Sequence, residues 1–314
     1  MSVPKEEKSP PDSQNAQCIS IREHMRHIRF GRTEVEVPTV SLGTWGHGGP
    51  RVSEGASVGW SGHDDGAARA ALVAAHRAGI THWDTADAYG DGHAEALIGS
   101  VWDEVPRSEI FLASKFGWVR EPGTHYYDPA FMRKQCDRSL QLLKTDVIDL
   151  YYLHHCDFGP NDEYFDDALA MMRTLRQEGK IRFVGLSDWD SKKIMKFIQR
   201  VDPDAVQPYR NLVDDPYESS GLKQWVDDHD LGVAFFSPIK HGLLLGKYTE
   251  AHQYPKGDFR SGVADFTNPE AIQRYRKAAE AMRNRFDGHQ EPVLHAVIGA
   301  LLTGNETACV LLGQ

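Results

Sequence analysis

The chain has 314 residues, enough for one large core or two average domains. Hydrophobic residues make up 40% and charged residues 25%, the balance of an ordinary globular protein rather than a disordered or membrane-embedded one. Asp and Glu number 45 against 35 Lys and Arg, and the resulting net charge of −10 disfavours nucleic acid or an anionic membrane as a partner.

In chain order, residues 1–22 are polar, proline-containing and patternless. They read as a disordered tail, and with no apolar core segment they are not a secretory signal. The folded domain is expected over residues 23–314. Cys18, Cys136, Cys156 and Cys309 are scattered without CxxC spacing, against a disulfide framework or zinc knuckle. Apolar runs such as LGVAFF and VLHAVIGALL fall short of a membrane span. A reducing cytoplasm is the expected location.

From about residue 35, short apolar runs alternate with longer amphipathic stretches. The runs are VSLGTW (40–45), ITHWD (80–84), IFLAS (110–114), VIDLYYL (147–153), IRFVGLS (181–187), AVQ (205–207), VAFFS (233–237) and ACVLL (308–312). They suit strands buried on both faces, as in a parallel sheet. Helical spacing appears over 64–79, with acidic Asp64 and Asp65 at its start and Gly79 after its end. It recurs over 129–144, where Asp128 is the expected N-cap, and over 164–179, 191–199, 218–229, 270–285 and 292–303. Eight strands alternating with helices predict an α/β fold, a (β/α)8 TIM barrel. The rival, a doubly wound open sheet, should show a GxGxxG loop after its first strand, and GTWGHGG lacks one. Gln314 follows the eighth strand by two residues, so the expectation is a barrel that either lacks its last helix or builds its eighth layer differently.

In such a barrel, chemistry belongs at the C-terminal strand ends. Strand two ends WDTADAYGDG, placing Asp84 at the rim and Tyr89 five residues on. Strand three ends in Lys115, strand four in His154 and His155, strand five in Ser187 and Asp188. Singly, each has a plain structural explanation. Together they supply a proton donor, a cation expected to lower the tyrosine pKa, a carboxylate to hold that cation, and a hydrogen-bonding imidazole. No protein nucleophile is needed, and a hydride would have to come from a cofactor.

WDTADAYGDGHAE resembles the aldo-keto reductase signature DTAxxYGxxxxE, and SLQLLKTDVIDLYYLH resembles the family's second signature. EGKIRFVGLSDW, AVQPYRNL, FFSPIKHGLLLGKY and GDFR follow in the family's order. The resemblance covers residues 30–314 and is nearest to the family's channel-β-subunit-like bacterial branch. It implies Asp84, Tyr89, Lys115 and His154 as the catalytic group, with Tyr89 as general acid reducing an aldehyde or ketone with NADP(H). By the same resemblance, Gly43, Thr44 and Trp45 line the nicotinamide end. Ser187, Asp188 and Gln207 hold the carboxamide, and Phe236 lies against the ring. Ser237, Pro238, Leu243 and Gly246 wrap the pyrophosphate, with Lys247 and Arg260 near phosphates. Trp45, Trp118, Tyr126 and Trp189 are candidate pocket walls. No metal is expected.

Two departures stand out. Asp188 occupies a position where the family usually has Asn, removing an amide donor. The family's 2′-phosphate and adenine contacts follow the eighth strand, and the sequence reaches only Gly313 and Gln314 beyond it, so preference for NADPH over NADH is read from the resemblance alone. The partner expected is a small carbonyl or alcohol. Two other functions share these features. A metal-dependent hydrolase could use His47, His93 and the HHCD run at 154–157, but strand one lacks the HxH such enzymes show. A nicotinamide-binding regulatory subunit could keep the same four residues.

Overall fold

The computed structural model describes residues 25–313. The expected tail over 1–22, Cys18 and Gln314 lie outside the described residues. Eight parallel strands close into a barrel: β1 (Val40–Gly43), β2 (His82–Asp84), β3 (Phe111–Phe116), β4 (Ile148–Leu153), β5 (Ile181–Asp188), β6 (Ala205–Pro208), β7 (Gly232–Phe235) and β8 (Ala308–Gly313). They neighbour one another in chain order, and β8 pairs with both β7 and β1 to complete the ring. The outer helices are α1 (Asp65–Arg77), α2 (His93–Gly99), α3 (Pro129–Leu143), α4 (Phe165–Gln177), α5 (Ser191–Val201), α6 (Leu222–His229), α7 (Pro269–Arg285) and α8 (Pro292–Leu302). The described residues end within β8, after α8.

The strands follow the apolar runs because both of their faces are buried. Trp83, Leu112, Tyr151, Leu153, Val184, Leu186 and Val310 pack outward under the helices. The alternate set, including Phe111, Ala113, Leu150, Tyr152, Ala205, Ala234 and Leu311, fills the barrel interior. Tyr152 occupies so much of that interior that a Cβ on Gly185 would sit 2.2 Å from its ring. Helix ends follow the expected signals. Asp64 accepts from Ala67 N at 2.7 Å, Asp128 accepts from Phe131 N at 3.0 Å, and Gly79 takes φ +86° just past α1.

Three elements differ from expectation. The stretch 218–229 splits at Gly221 (φ +82°) into a short helix Pro216–Ser219 and α6. Helix α2 has only 7 residues, flanked by glycines and carrying the buried Glu95, so it shows no amphipathic stripe. A hairpin of His27–Arg29 with Glu36–Pro38 stoppers the N-terminal end of the barrel. Its three-residue strands are too short to show alternation. Phe30, fully buried, packs edge-on to His82 at 5.5 Å and Phe111 at 6.0 Å. Arg29 anchors the plug through two 2.7 Å bonds to Asp230. The groove at this face contains the Arg107–Asp149–Arg182 ion pairs. The complementary donor and acceptor groups gather at the opposite end.

Candidate active site

Alternation along the strands sets which side chains reach the axis at the C-terminal rim. Asp84 continues the inward series of His82, Lys115 that of Phe111 and Ala113, and His154 that of Leu150 and Tyr152. Ser187 follows Gly185, Gln207 follows Ala205, and Phe236 follows Ala234 in the same way. Lys115 Nζ, fully buried, donates to Asp84 Oδ1 at 2.5 Å, to the Thr85 carbonyl at 2.7 Å and to the Tyr89 hydroxyl at 3.0 Å. All three of its protons are thereby placed. The His154 ring meets Tyr89 edge-on at 5.9 Å, and its Nδ1 is buried without a protein partner. Its neighbour His155 is committed elsewhere. One ring nitrogen pairs with the Gly117 carbonyl at 2.7 Å and the other accepts from Asp157 N at 3.1 Å.

The electrostatics differ from expectation at Tyr89. Its phenol lies above its ordinary value, because burial outweighs the opposing pull of Lys115. Lys115 does favour the phenolate, as expected, but desolvation wins, so Tyr89 holds its proton at neutral pH. For Lys115, burial works against the ammonium, but Asp84 and then Tyr89 outweigh it, and the charged form is favoured. Asp84 also receives Gln207 Nε2 at 2.8 Å on its other oxygen, so both carboxylate oxygens are bonded. Burial, followed by the charge on Lys115, keeps His154 neutral by pushing its pKa well down.

The residues expected around a cofactor are only partly drawn together. Thr44 Oγ1 donates to the Asp84 carbonyl at 2.9 Å. Trp45 stacks on Tyr89 with centroids 6.3 Å apart and 29° between planes. Gly43 pairs with Asp84 and Gly313, and an added Cβ would make only ordinary 3.7 Å contacts there. Ser187 Oγ donates to the Gln207 carbonyl at 2.8 Å. Phe236 packs against Trp189 at 4.8 Å. The segment 237–246 is unusual in backbone: Ser237, Lys240, His241, Gly242 and Gly246 take φ of 57°, 47°, 54°, 90° and 64°. Three of these five are not glycine, and left-handed backbone there is strain of the kind stored at ligand-binding loops. Gly246 is also sterically required, since a Cβ would stand 2.8 Å from that of Ala279. Pro238 lies in this segment, and Leu243 is buried beneath it. Lys247 is exposed beside it.

Asp188 and Tyr126 are placed otherwise than expected, and Arg260 is already paired within the chain. Asp188 shares its parity with Val184 and Leu186, which face away from the axis. Its oxygens accept from Cys156 N and Asp190 N, both at 2.8 Å, so it ties the loop after β4 to the end of β5 rather than facing a carboxamide. Arg260 is held by Asp258 at 2.9 and 2.6 Å, between the rings of Trp60 and Tyr254, so its charge is already matched. Tyr126 is only 4% exposed, with its hydroxyl bonded to Asp157 at 2.7 Å, so its side chain is packed and paired rather than open to the rim. Trp118 and Trp189, 40% and 43% exposed, stand at the rim.

Sequence reasoning missed an aromatic wall over the site. Trp60, His241 and Phe259 surround Trp45 at 5.4, 5.8 and 5.0 Å. The long loop after β1 folds inward to bring Trp60 there, pinned by Trp45 Nε1 donating to the Val58 carbonyl at 3.0 Å. Its tryptophan within a glycine-rich stretch was the available signal. Burial pushes the His241 imidazole down to about 4, so this wall is uncharged.

A closed parallel barrel with the buried hydrogen-bonded chain Asp84–Lys115–Tyr89 at its C-terminal rim defines a (β/α)8 protein with its polar centre where such barrels carry their sites. The model of the aldo/keto reductase family matches residues 39–298, and the chain belongs to that family. It is 29% identical to the NADH-specific methylglyoxal reductase of Escherichia coli (strain K12), over 77% of this chain and 75% of that protein. It is 30% identical to the aldo-keto reductase YhdN of Bacillus subtilis (strain 168), over 78% of this chain and 71% of that one. Among solved structures, the glycerol dehydrogenase AKR11B4 of Gluconobacter oxydans superposes with a TM-score of 0.73 at 26% identity, covering 92% of this chain and 86% of that one.

Proposed function

We propose that this chain reduces an aldehyde or ketone to the alcohol with NADPH as hydride source, Tyr89 acting as general acid. The observation that carries the reading is the buried chain Asp84–Lys115–Tyr89, with bonds of 2.5 and 3.0 Å. Bound nicotinamide would supply the hydride that no side chain can. Thr44, Trp45, Ser187, Gln207 and Phe236 would hold its reactive end, and the strained 237–246 backbone with Lys247 would hold its phosphates. Gln207 spends its amide protons partly on Asp84, so its carbonyl oxygen is the end left to face a ligand.

The chain's own residues then manage one proton. Tyr89 accepts a bond from Lys115, which leaves its own O–H free to donate to the substrate oxygen. As the carbonyl carbon is reduced, that proton passes to the oxygen and a phenolate remains at Tyr89. The Lys115 ammonium at 3.0 Å stabilises the phenolate by roughly 5 kcal/mol at an effective dielectric near 20. Asp84 keeps Lys115 charged and oriented throughout. Neutral His154 offers a second hydrogen bond near the substrate oxygen. Phenolate formed beside an ammonium, from a phenol whose proton is held firmly beforehand, is stabilisation that grows along the reaction coordinate.

The test is nicotinamide oxidation across a carbonyl panel, with NADPH and NADH in parallel because the Escherichia coli relative is NADH-specific by name. Tyr89→Phe is expected to lose about 10²- to 10⁴-fold in kcat, the usual worth of a positioned acid. If the variant turns over as fast as wild type, Tyr89 is not the acid. Cofactor binding without turnover on any carbonyl would favour a nicotinamide-binding regulatory subunit instead.

A further inference from the structure

Outside the rim, one side-chain cluster has the composition and spacing of a metal site. We propose that His63, Asp65 and His93 bind a single divalent transition metal, zinc in preference, clipping the loop after β1 to the loop that carries Tyr89. The ligand atoms are His63 Nε2, His93 Nε2 and Asp65 Oδ1, all within 4.8 Å of one another. A tetrahedral zinc with bonds of 2.0–2.1 Å to its ligands separates ligand atoms by about 3.3 Å. The two imidazole nitrogens already stand 3.3 Å apart. Asp65 Oδ1 lies 2.5 Å from His63 and 2.8 Å from His93, and must retreat by less than an ångström. It is 59% exposed and free to do so.

The local sequence supports this division of labour. Two adjacent aspartates begin α1, and Asp64 alone caps it, through Ala67 N. Asp65 is left with the two imidazoles as its partners. His63 ends the loop after β1 and His93 begins α2, so the ligands come from two separate segments. Those segments touch beneath the cluster: a Cβ on Gly48 would be 2.6 Å from Gly90 N and 2.7 Å from Tyr89 C. Two imidazoles and one carboxylate suit zinc, cobalt or nickel, whereas magnesium and calcium take oxygen sets. Three protein ligands leave a fourth position for water.

The experiment uses the full chain, stripped of metal, with Co2+ as spectroscopic probe. Expected are the visible absorption bands of a four-coordinate site at one Co2+ per chain, displaced by one equivalent of Zn2+ and by neither Mg2+ nor Ca2+. His63→Ala and His93→Ala should each weaken Co2+ binding by more than the 10- to 100-fold that loss of an outer partner costs, with far-UV circular dichroism unchanged. Zn2+ should raise the Tm of wild type in a concentration-dependent way and leave that of His63→Ala unmoved. Absence of the bands would overturn the site. So would bands of unaltered affinity in both histidine variants, which would place the metal elsewhere. No arm reads turnover, so the site stands or falls separately from carbonyl reduction.

Discussion

Glu95 sits fully buried on α2, directly behind the strand that carries Lys115. Its carboxyl accepts from Ser114 Oγ at 2.6 Å and Ser139 Oγ at 3.1 Å. Burial pushes it from an ordinary 4.5 up to about 7, against the pull of the two serines, Arg138 and Lys115. The neighbouring Asp87 is also buried, which pushes its pKa well up, and Glu95 raises it further against the pull of the Ala88 backbone N–H. The sign follows from linkage. In the unfolded chain Glu95 ionises above 4.5, while in the folded protein it stays protonated until about 7. The stability it contributes is therefore complete below 4.5 and lost as pH rises to about 7. At 1.36 kcal/mol per tenfold in proton affinity, the swing is about 3 kcal/mol. Glu95→Gln removes the titration and keeps a group able to bond both serines. Urea unfolding of both proteins between about pH 4 and about pH 8 should show the variant gaining about 3 kcal/mol relative to wild type over that range. Effects of carboxylates uncoupled to Glu95 are common to both and cancel, and Asp87, which Glu95 raises, only adds to the variant's gain. A wild-type-to-variant gap that stays constant across the range would refute the reasoning.

Two further outcomes follow from the site. Lys115→Met leaves Asp84 buried with Gln207 as its side-chain donor, and should cost about 3–5 kcal/mol in thermal or urea unfolding. The double variant Asp84→Asn, Lys115→Met should recover most of that stability and none of the carbonyl turnover. Asp188→Asn replaces two acceptor oxygens with one, so either Cys156 N or Asp190 N loses its partner, at about 1–3 kcal/mol. NADPH affinity, read by fluorescence, should stay unchanged, and a tenfold shift would show that Asp188 reaches the carboxamide after all.

All eight barrel strands were legible as apolar runs because burial on both faces leaves an unmistakable signature. The plug was not legible. Its two strands have three residues each, and its value lies in what Phe30 meets across the barrel floor. The rim residues could be proposed because strand ends and sequence spacing fix their place on the axis side. Their bonding was less accessible. The bond from Gln207 to Asp84 joins positions 123 residues apart, and only closure of the ring creates it. The parity of Asp188 turns on where the inward series of β5 falls, one residue either way. The direction at Tyr89 was read from its partner Lys115, which is visible in sequence, while depth of burial is not.

Depth of burial also explains why the acid–base group stands where it does. Two residues below each polar rim position lies an apolar or small one: Ala113 under Lys115, Tyr152 under His154, Gly185 under Ser187 and Ala205 under Gln207. The exception, His82 under Asp84, is neutralised by burial first and by Lys115 second, which push it down to about 3. Polarity therefore switches within a single inward step of about 7 Å along the strands. The floor below is largely apolar and stoppered by Phe30, which strengthens every interaction in the layer above it. On the proposed mechanism, a phenolate left at Tyr89 would regain its proton from the rim, where the aromatic wall of Trp45, Trp60, His241 and Phe259 carries no charge to compete for it. On that mechanism the plug at one end and the wall at the other would act on the same proton, the first by lowering the dielectric beneath Lys115 and the second by limiting the route to Tyr89.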